Sequence, residues 1–146
     1  MASAVVIFNE PFNPTTVDTE LSGGEVLSFG DVQVHVIASP GHSPGSACYL
    51  VERGNVRALF GGDVIMRLGE QPLGTYTAYL APRYRGDAAS FLETLRKLRA
   101  IPVPDLVLPG HPRTSLTPQS PHLARQAWED MLDAGVREME QLTVRY

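Results

Sequence analysis

One cysteine, no long apolar run and no block of basic residues are the first things the sequence lacks. Each shortage excludes something. A lone Cys48 cannot form a disulfide within one chain. It sits in the apolar stretch Ala47-Cys48-Tyr49-Leu50-Val51, with nothing adjacent to depress its pKa, so it reads as a buried, inert thiol rather than a nucleophile. The longest early apolar run, residues 4–8, is too short for a signal-peptide core and has no basic leader. Nothing approaches the roughly 20 apolar residues of a membrane span, so no membrane partner and a cytoplasmic address are expected. A net charge of −4 with scattered Lys and Arg leaves no footprint for a phosphate backbone, and nucleic acid is excluded as a partner. A hydrophobic fraction of 43% and a charged fraction of 19% lie in the globular range, and 146 residues suffice for one core. A single domain, residues 1–146, is expected.

The pattern is β-rich first and helical last. Val32, Val34 and Val36 alternate with Gln33, His35 and Ile37, which predicts a strand with one apolar face ending at Ser39-Pro40-Gly41. Residues 47–51 and 56–60 are β-like runs joined by Arg53-Gly54-Asn55, and residues 25–29 before Gly30-Asp31 form another. From Asp87, a candidate N-cap, Phe91, Leu92, Leu95 and Leu98 recur at helical spacing until Pro102 and Pro104. Leu106-Val107-Leu108 is a short buried strand closed by Pro109-Gly110. Ser120 as N-cap and Pro121 as first helical residue open a long helix with Ala124, Trp128, Met131, Met139 and Leu142 on one stripe, weakened at Gly135. No repeat or linker divides the chain, and the order β-rich then α-β-α predicts a mixed α/β (α+β) domain.

Three strands end on a glycine followed by a metal-ligand type: Gly41-His42, Gly61-Gly62-Asp63 and Gly110-His111. Glycine permits a sharp turn, so the next side chain can point across the strand ends. Imidazole nitrogen and carboxylate oxygen suit zinc and similar divalent ions. Taken singly, each is more commonly a turn or surface residue; the repeated strand–glycine–ligand order is what points to a metal site.

The stretches Ser39-Pro40-Gly41-His42-Ser43-Pro44-Gly45-Ser46, Leu59-Phe60-Gly61-Gly62-Asp63 and Leu108-Pro109-Gly110-His111-Pro112 together resemble the metallo-β-lactamase superfamily. The lead-in from Val17-Asp18-Thr19 to Glu25-Val26-Leu27 is similar to hydroxyacylglutathione hydrolase-like and lactonase-like members. The resemblance spans roughly residues 17–135. It implies that His42 binds a first metal, Asp63 bridges two, with a catalytic role, and His111 binds the second. It implies zinc or another divalent cofactor and hydrolysis of a small-molecule ester, thioester or lactone by metal-activated water. It also implies half of an α-β-β-α sandwich: one mixed, mostly antiparallel sheet with two main helices on one face.

The departures shape the rest. The family's H-x-H-x-D-H motif does not occur in this sequence, whose other histidines are His35 and His122. His35 lies mid-strand opposite the valine face and reads as packed or surface-exposed; His122 reads as structural, in the first turn of the last helix. The chain is therefore expected to be weak or inactive alone, as the C-terminal half of a hydrolase; the alternative is a non-catalytic dimeric binding or assembly module. Met66-Arg67-Leu68-Gly69-Glu70 does not match the Gly-Arg-x-Asp element of glutathione thioesterases, so that specificity is not implied. Residues 76–85, with Tyr76, Tyr79, Arg83, Tyr84 and Arg85, read as a loop with aromatics tucked against the sheet, the other reading being a pocket wall for an anionic or ring-bearing substrate. A half-sandwich leaves one sheet face bare, so a homodimer, or a partner segment carrying the missing half, is expected to cover it, with Val34 or Ile37 in the contact.

Overall fold

The computed structural model describes residues 18–65, 80, 84–110, 122 and 124–144. Four antiparallel strands follow one another: β1 (Val26–Phe29), β2 (Val32–Ala38), β3 (Ala47–Arg53) and β4 (Val56–Gly62). Helix α1 (Ala88–Ala100) then crosses to β5 (Leu106–Pro109), which lies parallel to β4, and α2 (Arg125–Thr143) closes the order. The sheet order is β1-β2-β3-β4-β5, a mixed α+β fold with two helices. Tight two-residue loops, Gly30-Asp31 and Gly54-Asn55, connect the first and third hairpins, as the register pairs Phe29↔Val32 and Arg53↔Val56 require.

Directly paired residues share a face, so the register shows which side the helices cover. Ile37↔Cys48, Leu50↔Leu59 and Leu59↔Val107 carry the core residues of the sheet. They pack with Phe91, Leu92, Leu95 and Leu98 of α1 and Trp128, Met131, Leu132 and Met139 of α2. The valine face is the other one. There Val34 pairs with Leu27 and Val51, Val32 with Phe29, and Val51 with Ala58, while Phe29, Val56 and Phe60 are 48%, 52% and 44% exposed. Ile37 thus packs against the helix-covered core, so of the two residues offered for the contact, Val34 and Ile37, only Val34 lies on the other face.

Helix α1 begins as its sequence directs. Asp87, with extended φ −141° and ψ 146°, accepts a 2.7 Å hydrogen bond from the Ser90 amide. Helix α2 does not. Ser120 and Pro121 lie outside the described residues, but Ala124 is extended at ψ 146° and the helix starts at Arg125, leaving His122 and Ala124 before it. Helices in proteins are held chiefly by their packed face, and here the buried stripe begins only at Trp128. Gly135 is buried within α2, which continues through it.

Leu95 is fully buried between α1 and the sheet. Leu95→Ala should lower the urea-unfolding free energy by about 2–5 kcal/mol. Asp87→Ala should cost about 1 kcal/mol and Asp87→Asn, which keeps a cap acceptor, far less; equal midpoints for the two Asp87 variants would contradict the capping role.

Candidate metal centre

The turn after β2 is held from several sides. Ser39, fully buried, donates its hydroxyl to the Ile37 carbonyl at 2.7 Å, and its amide donates to the Ser46 carbonyl at 2.8 Å. Buried Thr94 on α1 donates to the Pro40 carbonyl at 2.7 Å, and the Asp87 amide donates to the Gly41 carbonyl at 3.0 Å. Gly41 sits at φ +147°, where a Cβ would lie 2.5 Å from the Phe91 ring, so a residue with a side chain would collide with α1 and strain the backbone. The turn and the start of α1 therefore act as one support for His42, which is only 7% exposed. Thr94 was missed in the sequence; its signal was a lone hydroxyl interrupting the apolar stripe Phe91, Leu92, Leu95 and Leu98.

Asp63 arrives from β4 through a second tight turn, in which the Val64 and Ile65 amides both donate to the Gly61 carbonyl. His42 Nε2 and Asp63 Oδ2 approach to 3.5 Å, with the His42 side chain 9% and the Asp63 side chain 37% exposed. Because β5 is parallel to β4, its end returns to the same rim. The Gly110 amide donates to the Gly62 carbonyl at 2.9 Å and to the Ile65 carbonyl at 3.0 Å. A Cβ on Gly110 would meet the Gly62 carbonyl and lie 2.9 Å from Asp63 Oδ1. His111, the next residue, lies outside the described residues, as do Tyr76, Tyr79 and Arg83.

Tyr84 stands beside the pair, its ring centroid 5.6 Å from that of His42 and tilted by 39°. Arg85 follows at φ +60°, a left-handed conformation uncommon for a residue with a Cβ. His35 is engaged elsewhere, its Nε2 2.8 Å from Glu52 Oε2 in the middle of the sheet. Cys48 is fully buried, burial pushes its thiol up to about 11, and it donates to the Gly61 carbonyl at 3.4 Å, which fits an inert core residue. Among the described residues no cluster of three His, Cys, Asp or Glu gathers, so the described part of the rim is the His42–Asp63 pair. No helix among the described residues is long and apolar enough to cross a membrane.

A sheet backed by two helices, with a histidine and an aspartate meeting at the ends of its strands, defines an α+β scaffold with a rim-mounted polar site. The chain belongs to the metallo-beta-lactamase superfamily, whose family model matches residues 2–111. It is 32% identical over 98 residues to a hydroxyacylglutathione hydrolase of Rhodospirillum rubrum, an alignment covering 67% of this chain and 34% of that protein. The chain thus spans about a third of the length of the curated relatives it matches. Solved structures share the fold at lower identity. The metallo-beta-lactamase GOB-18 from Elizabethkingia meningoseptica matches with a TM-score of 0.60 and 18% identity, over 92% of this chain and 53% of that one. The class B3 di-zinc metallo-beta-lactamase LRA-12 from an Alaskan soil metagenome matches with a TM-score of 0.57 and 19% identity, over 89% of this chain and 52% of that one.

Gly110→Ala should destabilise the chain by about 1–3 kcal/mol, the usual cost of overpacking. Chemical denaturation checks it, and an unchanged midpoint would contradict the close approach of β5 to Asp63.

Proposed function

We propose that this chain, as one domain, furnishes the C-terminal ligand set of a zinc-dependent hydrolase of esters, thioesters or lactones. In this reading His42 serves a first metal, Asp63 bridges two, and His111 serves the second. The 3.5 Å approach of His42 Nε2 to Asp63 Oδ2 carries the reading. The donor types fit: imidazole nitrogen and carboxylate oxygen are zinc ligands, and Gly110, lacking a Cβ, leaves Asp63 Oδ1 uncrowded. The hydrolase name of the Rhodospirillum rubrum relative and the di-zinc character of LRA-12 support hydrolysis and a divalent metal. When bound, such ions supply Lewis acidity and activate water at neutral pH. The chain's own part is positional. The buried turn fixes the His42 ring, and Asp63 offers two carboxylate oxygens as donors. The Tyr84 ring packs beside that of His42, 5.6 Å between centroids. We place this chemistry in the cytoplasm, which a lone cysteine suits.

Three donors are few for two ions. The remaining ligands, on this proposal, arrive on an H-x-H-x-D-H segment from another stretch of polypeptide, and the isolated chain works weakly. Zinc retained after dialysis should be substoichiometric, abolished by His42→Ala or His111→Ala, and should rise together with thioester hydrolysis when such a segment is added. Tight stoichiometric zinc with rapid hydrolysis by the chain alone would overturn the half-site reading.

The valine face, where Val36 is buried but larger apolar side chains stay exposed, supports a second element of the proposal, a homodimer packed sheet on sheet. Phe29, Val56 and Phe60 are each close to half exposed there, and a two-fold copy is the commonest closed way to bury such a patch. The contact should bury more than roughly 2,000 Å² in total. Light scattering after size exclusion should show a dimer that Val34→Asp dissociates without unfolding, whereas Ile37→Asp should unfold the chain. A monodisperse wild-type monomer at micromolar concentration would sink the dimer.

A further inference from the structure

At the opposite end of β4 and β5 from His42 and Asp63, a cavity of about 370 Å³ opens between the end of α1 and the start of α2. That volume lies at the lower end of small-molecule pockets, roughly 300–1,000 Å³. Arg57 from β4, Arg99 from α1 and Arg125 from α2 line it, with Ile101, Val103 and Trp128 as apolar wall and Glu129 the one carboxylate among the lining residues described.

The arginines have donors to spare. A guanidinium carries five N–H groups, and among the described residues each pairing uses one nitrogen. Arg57 Nε meets Glu52 at 3.0 Å, an Arg99 terminal nitrogen meets Asp133 at 2.7 Å, and Arg125 reaches Glu129 only at 3.6 Å. A further carboxylate, Asp105, accepts from the Arg57 backbone amide at 2.8 Å. The first turn of α2, which borders the cavity through Arg125 and Trp128, contains no acidic residue, and its N-cap Ala124 makes no side-chain hydrogen bond. Three cations from three elements, an apolar wall and the positive end of a long helix converge on one concavity.

We infer that this cavity binds a small phosphate-bearing molecule, the phosphate meeting the guanidinium forks and the organic part lying on Ile101, Val103 and Trp128. It shares no residue with the metal reading, so either can fail without the other.

The protein carries its own probe. Trp128 is the one tryptophan, 1% exposed, and it lines the cavity. Pyrophosphate titrated into the metal-free full chain, against NaCl at matched ionic strength, should give a saturable change in tryptophan fluorescence. Arg125→Gln, at a side chain 72% exposed and tolerant of change, and Arg99→Gln should each weaken the apparent affinity about tenfold or more, as loss of a charge-assisted hydrogen bond implies. His42→Ala should leave the titration unchanged. A response that merely tracks NaCl, or one unaltered in both arginine variants, would overturn the site. A response lost in His42→Ala would move the anion to the other rim and overturn it too, and tighter binding of citrate than of pyrophosphate would overturn the phosphate assignment.

Discussion

Because β5 runs parallel to β4, both strands deliver their C-terminal residues to the same rim, and everything at the candidate metal centre depends on that pairing. An antiparallel β5 would carry Gly110 to the far end of the sheet. With the parallel register Leu59↔Val107, the Gly110 amide instead closes on the Gly62 carbonyl, directly beside Asp63. A parallel neighbour needs a crossover, and α1 supplies it. The same helix then supports the turn that holds His42, through Thr94 on the Pro40 carbonyl and Asp87 on the Gly41 carbonyl. One connection therefore sets two strand ends and the support of a third.

The helices also leave an asymmetry. α1 and α2 bury the face of Cys48, Leu50, Leu59 and Val107, while no helix among the described residues covers the face of Val34, Val51 and Phe60. Solved relatives of the fold are about twice the length that this chain matches, 53% of GOB-18 being covered.

Much of this was legible in the residues because it rests on local rules. Alternation in β2, the Gly-Asp and Gly-Asn turns, the Asp87 cap and the Phe91, Leu92, Leu95, Leu98 stripe each need only near neighbours, and the observed elements fall within a residue or two of expectation. The glycine-then-ligand order was legible for the same reason, although His111 lies outside the described residues. Non-local choices were not legible. Ser120-Pro121 is a sound local opening for a helix, yet α2 starts at Arg125, because packing of Trp128 rather than capping decides where it begins. Alternation says that β2 has two different faces but not which one the helices take, and so Val34 and Ile37 both stood as candidates for the contact. The arginines around the cavity lie far apart in sequence, on three elements, and no spacing rule could have joined them.

The proposed assignment makes His42 and His111, with Asp63, the residues that hold metal. Imidazole NMR signals of the chain's four histidines, followed during a zinc titration, test it most directly. The His42 and His111 signals should move together and lose intensity in step, while those of His35, paired with Glu52, and His122 should stay in place. A His42 signal that does not respond, or a His35 or His122 signal that moves with it, would contradict the account.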